Sequence, residues 1–479
     1  MTREQLTGVL ERLRARAEAE PDAPALSARS ADGHWTRLTN AELLRRVNTA
    51  GRTLRSADHP TGKVLVALPN GVDFFVAVLA TWSAGLTPLI APPGSSEREL
   101  DTLFSSQPGP RSATHVFSPV PQEETADHGT VPPGPEPEQA WCMPSGGSTG
   151  LPRFIPVAGR PSQQLASQSH LLRSLGWQPG STQLVMGPLH HAAPYTSAMT
   201  GLYADNHIVV VERFTREAVE DAVARFSPTW LQATPHQMAL LLADTATVSR
   251  LAKHLTGLMH TAAPCPRSVK QAWIDLLGGD RVFELYGSTQ MVGAVISSGT
   301  QWLARPGTVG RPHMTQVRIV GPDGAELPRG TVGEVFMRTA ATRRLGAAQA
   351  AHLRAHSGGF YSVGDLGYLD DDGYLYLTDR VDDIINVGGA NVSAREVEGV
   401  LLDHPDVREA LVVGRAHDLL GQVVSAFVVP ADPARPPGGA DLRAFCARRL
   451  EAHKVPASVR TVPEFERSHA GKIQRYRYQ

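Results

Sequence analysis

Apolar and polar positions along this chain repeat on two periods, and the switches between them mark its elements. Leu6 to Ala19 and Asn40 to Leu54 place apolar residues at helical spacing, around a short extended piece. From Lys63 the run Val64-Leu65-Val66-Ala67-Leu68 predicts a buried strand, closed by the turn Pro69-Asn70-Gly71. Phe74 to Ala91 carries no charge and reaches the length of about 18 residues at which a membrane span comes into question. Gly85 and Pro88 break it, and Thr81, Ser83 and Thr87 dilute it. It therefore predicts a buried helix over 71–84 and a strand from Leu86 to Ala91, not a membrane span.

Between about 104 and 140 apolar density falls and Pro, Ser, Gln and Glu accumulate, the composition of a surface connector. The alternation then resumes, with strands predicted at 183–186, 207–212, 229–233 and 282–286 and helices between them. This is the rhythm of an α/β sheet covered by helices. Residues 315–340 read as all-β, with a turn at Gly321-Pro322-Asp323-Gly324, and a second turn cluster lies farther on at Asp370 to Gly373. Beyond a boundary at Arg380–Asp383 the character changes. A helix from Ala394 to Leu402, strands near 409–414 and 422–429, and a helix from Asp441 to His453 make a small α+β unit.

Composition narrows the class. A chain of 479 residues exceeds what one hydrophobic core usually holds, so two or more domains are expected. With 42% hydrophobic and 19% charged residues it is an ordinary soluble globular protein. A net charge of −1 and no long basic run argue against nucleic acid or an anionic membrane as partner. Cys142, Cys265 and Cys446 are far apart, in no metal-ligand spacing, and fit a reducing cytoplasm. The first residues do not read as a signal peptide. Lysine occurs at only 63, 253, 270, 454 and 472 among 46 basic residues. Each lysine therefore raises the question of why arginine would not serve.

The candidate chemistry centres on Ser145-Gly146-Gly147-Ser148-Thr149-Gly150. Its glycines let successive N–H groups converge on one point, and its hydroxyls add donors, which suits polyphosphate oxygens. It is not a Walker loop, because no Gly-Lys-Ser/Thr closes it. By composition alone a mobile Gly/Ser turn is the better reading, by roughly two to one.

Further motifs follow in order: Pro188-Leu189-His190-His191, Thr261-Ala262-Ala263-Pro264, Glu284-Leu285-Tyr286-Gly287-Ser288-Thr289-Gln290, Tyr361 to Asp365, Asp379 to Asp383, Gly388-Gly389-Ala390-Asn391-Val392 and Gly471-Lys472-Ile473. With the glycine loop and Arg153 after it, this order resembles the adenylate-forming superfamily of acyl- and aryl-CoA synthetases, peptide-synthetase adenylation domains and luciferases. Residues 273–310 resemble fatty- and bile-acid CoA ligases in particular. The resemblance covers essentially the whole chain. It implies a large ATP- and acid-binding domain over 1–379, a hinge at 380–383, and a small mobile C-terminal lid over 384–479. It also implies a two-step reaction: an acid attacks the α-phosphate of MgATP to give acyl-AMP and pyrophosphate, then a thiol or amine displaces AMP.

Roles follow from the same resemblance. Ser145 to Gly150 and Arg153 would cradle the phosphates, and Ala262, Ala263 and Pro264, with Glu284 and Leu285, would border the nucleotide. Tyr286 would lie beside adenine, with Gly287 and Ser288 shaping the turn that puts Thr289 on the α-phosphate. Asp365 would accept the ribose hydroxyls and Arg380 would reach ribose and phosphate. Asp382 would be the pivot. Gly388, Gly389 and Asn391 would form the acceptor loop. Lys472 would bridge the attacking oxygen and the α-phosphate as a compact point charge. His191 would guide the acid, with His190, Gln290 and Gly293 in a pocket drawn from 191–197, 232–236 and 290–294.

Three positions depart from the family pattern. Gln290 stands where the family usually has a glutamate that holds Mg²⁺; its amide oxygen, with Thr149, would still ligate a hard cation but without the negative charge, so metal affinity should drop. Arg153 replaces the loop lysine and Asn386 another lysine. The expected co-substrates are ATP, Mg²⁺, a small organic acid and CoA. Other acceptors in the superfamily stay open: a carrier protein, an amine, or nitrite with an aryl amine in an ATP-dependent diazotase. A non-catalytic nucleotide-binding relative is a further alternative.

Overall fold

The structure is a computed structural model that describes residues 8–57, 59, 61–105, 115–117, 134–144, 153–340, 342, 345, 350, 353–467 and 473–479. The chain divides into two compact units, residues 1–306 and 307–479.

The first unit begins with α1 (Val9–Ala19), the hairpin β1 (Pro24–Arg29) and β2 (Trp35–Thr39), and α2 (Asn40–Ser56). A first sheet then takes β3 (Lys63–Val66), β4 (Thr87–Ile90), β5 (His115–Val116), β6 (Gln139–Pro144) and β7 (Phe154–Ala158), in the order β5-β3-β4-β6-β7. Between them run α3 (Val72–Ser83) and α4 (Glu97–Phe104), and α5 (Pro161–Ser174) follows. A second sheet takes β8 (Thr182–Val185), β9 (His207–Val211), β10 (Trp230–Ala233), β11 (Gly257–His260), β12 (Val282–Gly287) and β13 (Ala294–Ser298). Its helices are α6 (Ala192–Tyr203), α7 (Arg216–Phe226), α8 (Pro235–Leu242), α9 (Thr245–His254), α10 (Arg267–Leu277) and α11 (Gly299–Ala304).

The uncharged segment resolves as expected, into a helix over 72–83 and a strand over 87–90. The body of α3 from Phe74 to Ser83 is buried, because the helix is apolar on every face and lies in the core with β3, β6, β8 and β9. Trp82 satisfies its indole N–H on the Ala140 carbonyl at 2.8 Å. Burying side chains such as Phe75 or Leu79 stabilises the unit by roughly 1.5–3 kcal/mol each. Among the described residues no helix is long and apolar enough to cross a membrane.

The second sheet orders its strands β13-β12-β11-β10-β8-β9-β1-β2. Strands β8 to β12 and β1 are mutually parallel, while β2 runs antiparallel to β1 and β13 antiparallel to β12. The chain passes from β8 to β9 on one side, then to β10 on the other. The strand order therefore reverses at β8.

The second unit opens with a β-rich part: β14 (Thr308–His313), β15 (Gln316–Val320), β16 (Gly333–Arg338), β17 (Arg354–His356), β18 (Phe360–Ser362), β19 (Asp365–Leu369) and β20 (Leu375–Arg380). A turn of 3-10 helix, Val381–Asp383, leads to β21 (Ile384–Val387), β22 (Ala390–Ser393), α12 (Ala394–Leu402), β23 (Val407–His417), β24 (Gly421–Pro430), α13 (Gly439–Ala447) and β25 (Ser458–Thr461). Strands β22-β21-β24-β23, with β25 beside β24, form one sheet under α12 and α13. The last helix ends at Ala447 and not at His453; Leu450 N–H caps it on the Cys446 carbonyl at 2.8 Å, and only a 3-10 turn, Ala452–Lys454, follows.

Candidate active site

Parallel strands send their following loops to one edge, and β8, β10, β11 and β12 are parallel neighbours. Residues 186–191, 234–236, 261–266 and 288–293 therefore all leave the sheet at its carboxyl edge, or connect there to the antiparallel β13. Ligands of open α/β sheets bind outside that edge, where strand order reverses. Here the reversal falls between β8 and β10, and the loop after β8 carries His190 and His191.

That loop is held from elsewhere. Asn70, in the turn after β3, accepts from Leu189 N–H at 2.8 Å and donates to the Gly187 and Val211 carbonyls at 2.9 and 3.2 Å. Gln237 of α8 donates to the Met186 carbonyl at 3.3 Å. A turn closes from His191 N–H to the Pro188 carbonyl at 3.0 Å, and His191 becomes the N-cap residue of α6. His190 is buried, with its ring centroid 4.4 Å from that of His191.

On the next two strands, register puts His260 opposite Glu284. Tyr286 shares their face, because alternate residues of a strand point the same way. Below them the buried Lys270 of α10 forms an ion pair with Glu284 and lies 4.9 Å over the Trp302 ring. His260 is fully buried, and burial with the nearby Lys270 charge holds its imidazole well below the usual histidine range. Burial likewise pushes the Cys265 thiol up to about 12.

The 261–264 segment is exposed from Ala262 to Pro264, and Ala262 sits in the left-handed region at φ 81°. That conformation costs an alanine about 1–2 kcal/mol, strain of the kind that gathers at ligand sites. Between β12 and β13, Met291 N–H bonds to the Ser288 carbonyl at 2.9 Å, so Thr289 and Gln290 occupy the tip of a tight turn. Ser288 Oγ and, on β10, Gln232 Oε1 are buried without a hydrogen-bond partner among the described residues. Buried polar atoms are normally paired, so both are poised for a ligand or water.

In the second unit, Asp365 opens β19 and Arg380 closes β20, directly opposite in register. Arg380 Nε lies 3.2 Å from Asp365 Oδ1, and its Nη2 donates to the Val363 carbonyl at 2.8 Å. Asp379 fixes the Arg380 backbone by accepting its N–H at 2.8 Å. Farther on, Gly388 and Gly389 form the two-residue turn between β21 and β22, with φ of 59° and 91°. Both central residues of such a hairpin turn need positive φ, which is why two glycines stand there. Asn386 accepts from Gly389 N–H at 3.0 Å, and Asn391 is exposed beside it.

The expected residues thus fall into two groups, one in each unit. The first gathers His190, His191, Ala262, Ala263, Pro264, Glu284 to Gln290 and Gly293; Arg153 stands exposed just ahead of β7. The second contains Asp365, Arg380, Gly388, Gly389 and Asn391. Ser145 to Gly150, with Thr149, and Lys472 lie outside the described residues, as does the side chain of Asp382. Sequence reasoning missed Asn70 and Lys270 as parts of this site. The turn Pro69-Asn70-Gly71 and the scarcity of lysine were the available signals, but neither names its partner.

Loops gathered where a parallel sheet reverses its strand order define an α/β protein that binds a nucleotide or other small ligand. A family model described as AMP-binding enzyme matches residues 13–107 and 104–344, and one described as AMP-binding enzyme C-terminal domain matches 396–472. The chain belongs to this family, the adenylate-forming ligases. It is 30% identical to the sulfoacetate–CoA ligase of Cupriavidus necator, over 96% of this chain and 95% of that protein. The amide bond synthetase McbA of Marinactinospora thermotolerans, solved as its K483A mutant, is 25% identical with a TM-score of 0.80, covering 98% of this chain and 99% of that one. ATP-bound MatB from Rhodopseudomonas palustris shares the fold at a TM-score of 0.83 and 22% identity, over 98% of both chains.

Proposed function

We propose that this protein activates a small organic acid with ATP and passes the acyl group to CoA. The convergence of three motif-bearing loops, with the 234–236 loop beside them, on the carboxyl edge at the strand reversal is the observation that carries this reading. In the first step an acid oxygen bonds to the α-phosphorus, the bond from that phosphorus to the α,β-bridging oxygen breaks, and pyrophosphate leaves. In the second the CoA thiol, losing its proton, attacks the acyl carbon, and the bond to the AMP oxygen breaks.

Phosphoryl chemistry of this kind asks for positioning and charge rather than covalent catalysis. In this reading residues 145–150 and Arg153 hold the phosphates, Thr289 donates to the α-phosphate, and Tyr286 flanks adenine. The Asp365 carboxylate, oriented by Arg380, accepts the ribose hydroxyls. Lys472 neutralises charge between the attacking oxygen and the α-phosphate. Residues 1–379 would be the large domain and 384–479 the lid, turning about 380–383 with Asp382 as pivot. Gln290 offers Mg²⁺ one neutral oxygen and Thr149 a hydroxyl, so the ion would take most of its ligands from the nucleotide. When bound, it would screen phosphate charge. Three cysteines without a disulfide support a cytoplasmic setting.

The likeness to an amide bond synthetase favours a second reading, in which an amine replaces the thiol. One assay separates them: acid-dependent pyrophosphate release over sulfoacetate, malonate, benzoate and octanoate, with CoA, with an amine, or with neither. We expect one acid to stimulate release, CoA to raise turnover more than the amine, and Lys472→Ala to abolish it. Release indifferent to every acid, or unchanged in Lys472→Ala, would defeat the proposal.

A further inference from the structure

The two faces of the second sheet differ at its carboxyl edge. On one, His260 and Glu284 lie over α10, and Glu284 is paired with Lys270. On the other, register sets Val185, Gln232, Met259 and Phe283 side by side on β8, β10, β11 and β12. Val185, Met259 and Phe283 are apolar and buried, whereas Gln232 is polar and only half-buried. Nearer the edge the same face continues with Leu285 and, opposite it on β13, Ile296, both half-buried and packed with Met259 and Phe283.

Helix α6 covers this face, since Ser197 Oγ accepts from the Gln183 amide at 2.7 Å. Ala193 lies one helical turn nearer the edge than Ser197, and Gln232 two strand residues nearer it than the row of Gln183, so the two come level. Gln183 is fully buried and satisfied: it also accepts from Trp177 Nε1 at 3.3 Å and donates to the Ser197 carbonyl at 3.0 Å. Gln232 Oε1 is buried with no partner among the described residues. Trp230 Nε1, one row deeper on β10, is also unpartnered, but Trp230 is fully enclosed while Gln232 opens toward the edge. A buried amide oxygen left alone is costly, and a ligand bringing an N–H or O–H group to it removes that cost.

Charge limits the ligand further. Residues 186–194, 232–236, 260–266 and 285–296 contain no lysine, arginine, aspartate or glutamate. Lys270, the buried cation of α10, serves the opposite face and is paired there. A second anionic group on the acid would therefore lose its hydration beside Met259, Leu285 and Ile296 with no permanent positive charge to offset the loss.

We propose that the acid activated here is a singly charged carboxylate with an apolar body, and that Gln232 selects it by accepting a hydrogen bond from one neutral hydroxyl or amino group on that body. The inference rests on the adenylation reading above and narrows which acids qualify.

The test measures kcat/KM for acid-dependent pyrophosphate release. The acids are benzoate with its 3-hydroxy and 3-amino derivatives, hexanoate with 6-hydroxyhexanoate, and the dianions malonate, sulfoacetate and isophthalate. In the wild-type protein a hydroxyl- or amino-bearing acid should exceed its parent at least about tenfold. Every dianion should fall at least about a hundredfold below the best monoanion. Gln232→Met should bring the ratio of that substituted acid to its parent within about threefold of one. A dianion as the fastest acid, a parent as good as its substituted partners in both series, or an unchanged ratio in Gln232→Met overturns the inference and leaves the ligase reading standing. An equal fall for substituted and parent acids marks a merely structural glutamine and overturns it too. Should Gln232→Met fail to fold, Gln232→Leu is held to the same ratio, and the wild-type ranking of the acids decides by itself. Release indifferent to every acid would sink the ligase reading and this inference with it.

Discussion

Ala262 shows what a single residue contributes beyond its side chain. Its φ of 81° is forced by the way the chain leaves β11 and turns toward α10, and the residue is exposed, so no packing rewards the alanine methyl. Replacing it with glycine removes the strain but lets the unfolded chain explore more conformations. The net expectation is a gain of about 0.5–1 kcal/mol, since relief of 1–2 kcal/mol exceeds the entropy term. Urea denaturation of Ala262→Gly checks this, and an unchanged or lower midpoint would show the alanine at ease there. Met291, at φ 53° in the loop after β12, is the second residue of this kind at the same edge. Neither was visible in sequence, because alanine and methionine give no local signal for a left-handed backbone. Gly388 and Gly389 gave that signal, and the structure puts both in it.

At the scale of elements, the contact between α10 and β12 is decided by Lys270. An amphipathic helix would ordinarily present an apolar residue there, beside Trp273, Ile274 and Leu277 on its buried face. Lys270 instead meets Glu284, with side chains only 4% and 11% exposed. Such a pair adds little net stability, but removing one member strands a buried charge at a cost of about 3–5 kcal/mol. Lys270→Met should therefore destabilise the protein by that amount, and Lys270→Met with Glu284→Leu should recover most of it. A double-mutant cycle by urea denaturation measures the coupling, and additive effects would show the pair to be independent. Because Glu284 lies two residues before Tyr286 on the same face, loss of the pair should also disturb the loop at 288–293.

For the whole molecule, acid is the condition that tests the fold. His207 on β9 is largely buried, and burial with the charges of Arg16 and Arg37 lowers its pKa from 6.5 to about 4. His260 is held low for a related reason. The folded state binds these protons less readily than the unfolded chain. The histidine contribution is therefore complete above about pH 6.5 and is lost as pH falls toward 4, by about 3 kcal/mol for His207 alone. Stability should decline steadily between pH 7 and pH 4.5, and His207→Gln should flatten part of that slope. Equal acid slopes in wild type and variant would exclude His207 as a source of the loss.

Much of this protein was legible before any coordinates. Periodicity located α2, α3, α12 and most strands within a few residues, because each element buries one face and the spacing of apolar residues reports that face directly. The family order of motifs identified the chemistry, and the paired glycines of the β21–β22 turn encoded their own backbone geometry. What periodicity reports is a face and never its partner. The pairing of β1 with β9, the reversal of strand order at β8, the reach of Asn70 to Leu189 across 119 residues, and the joining of Asp383 to Arg475 are all long-range. Each depends on hydrogen bonds and charges that meet only after intervening loops have closed. The sequence thus determined which groups could act on an acid and a nucleotide; tertiary structure alone decided which loops share the carboxyl edge and what holds them there.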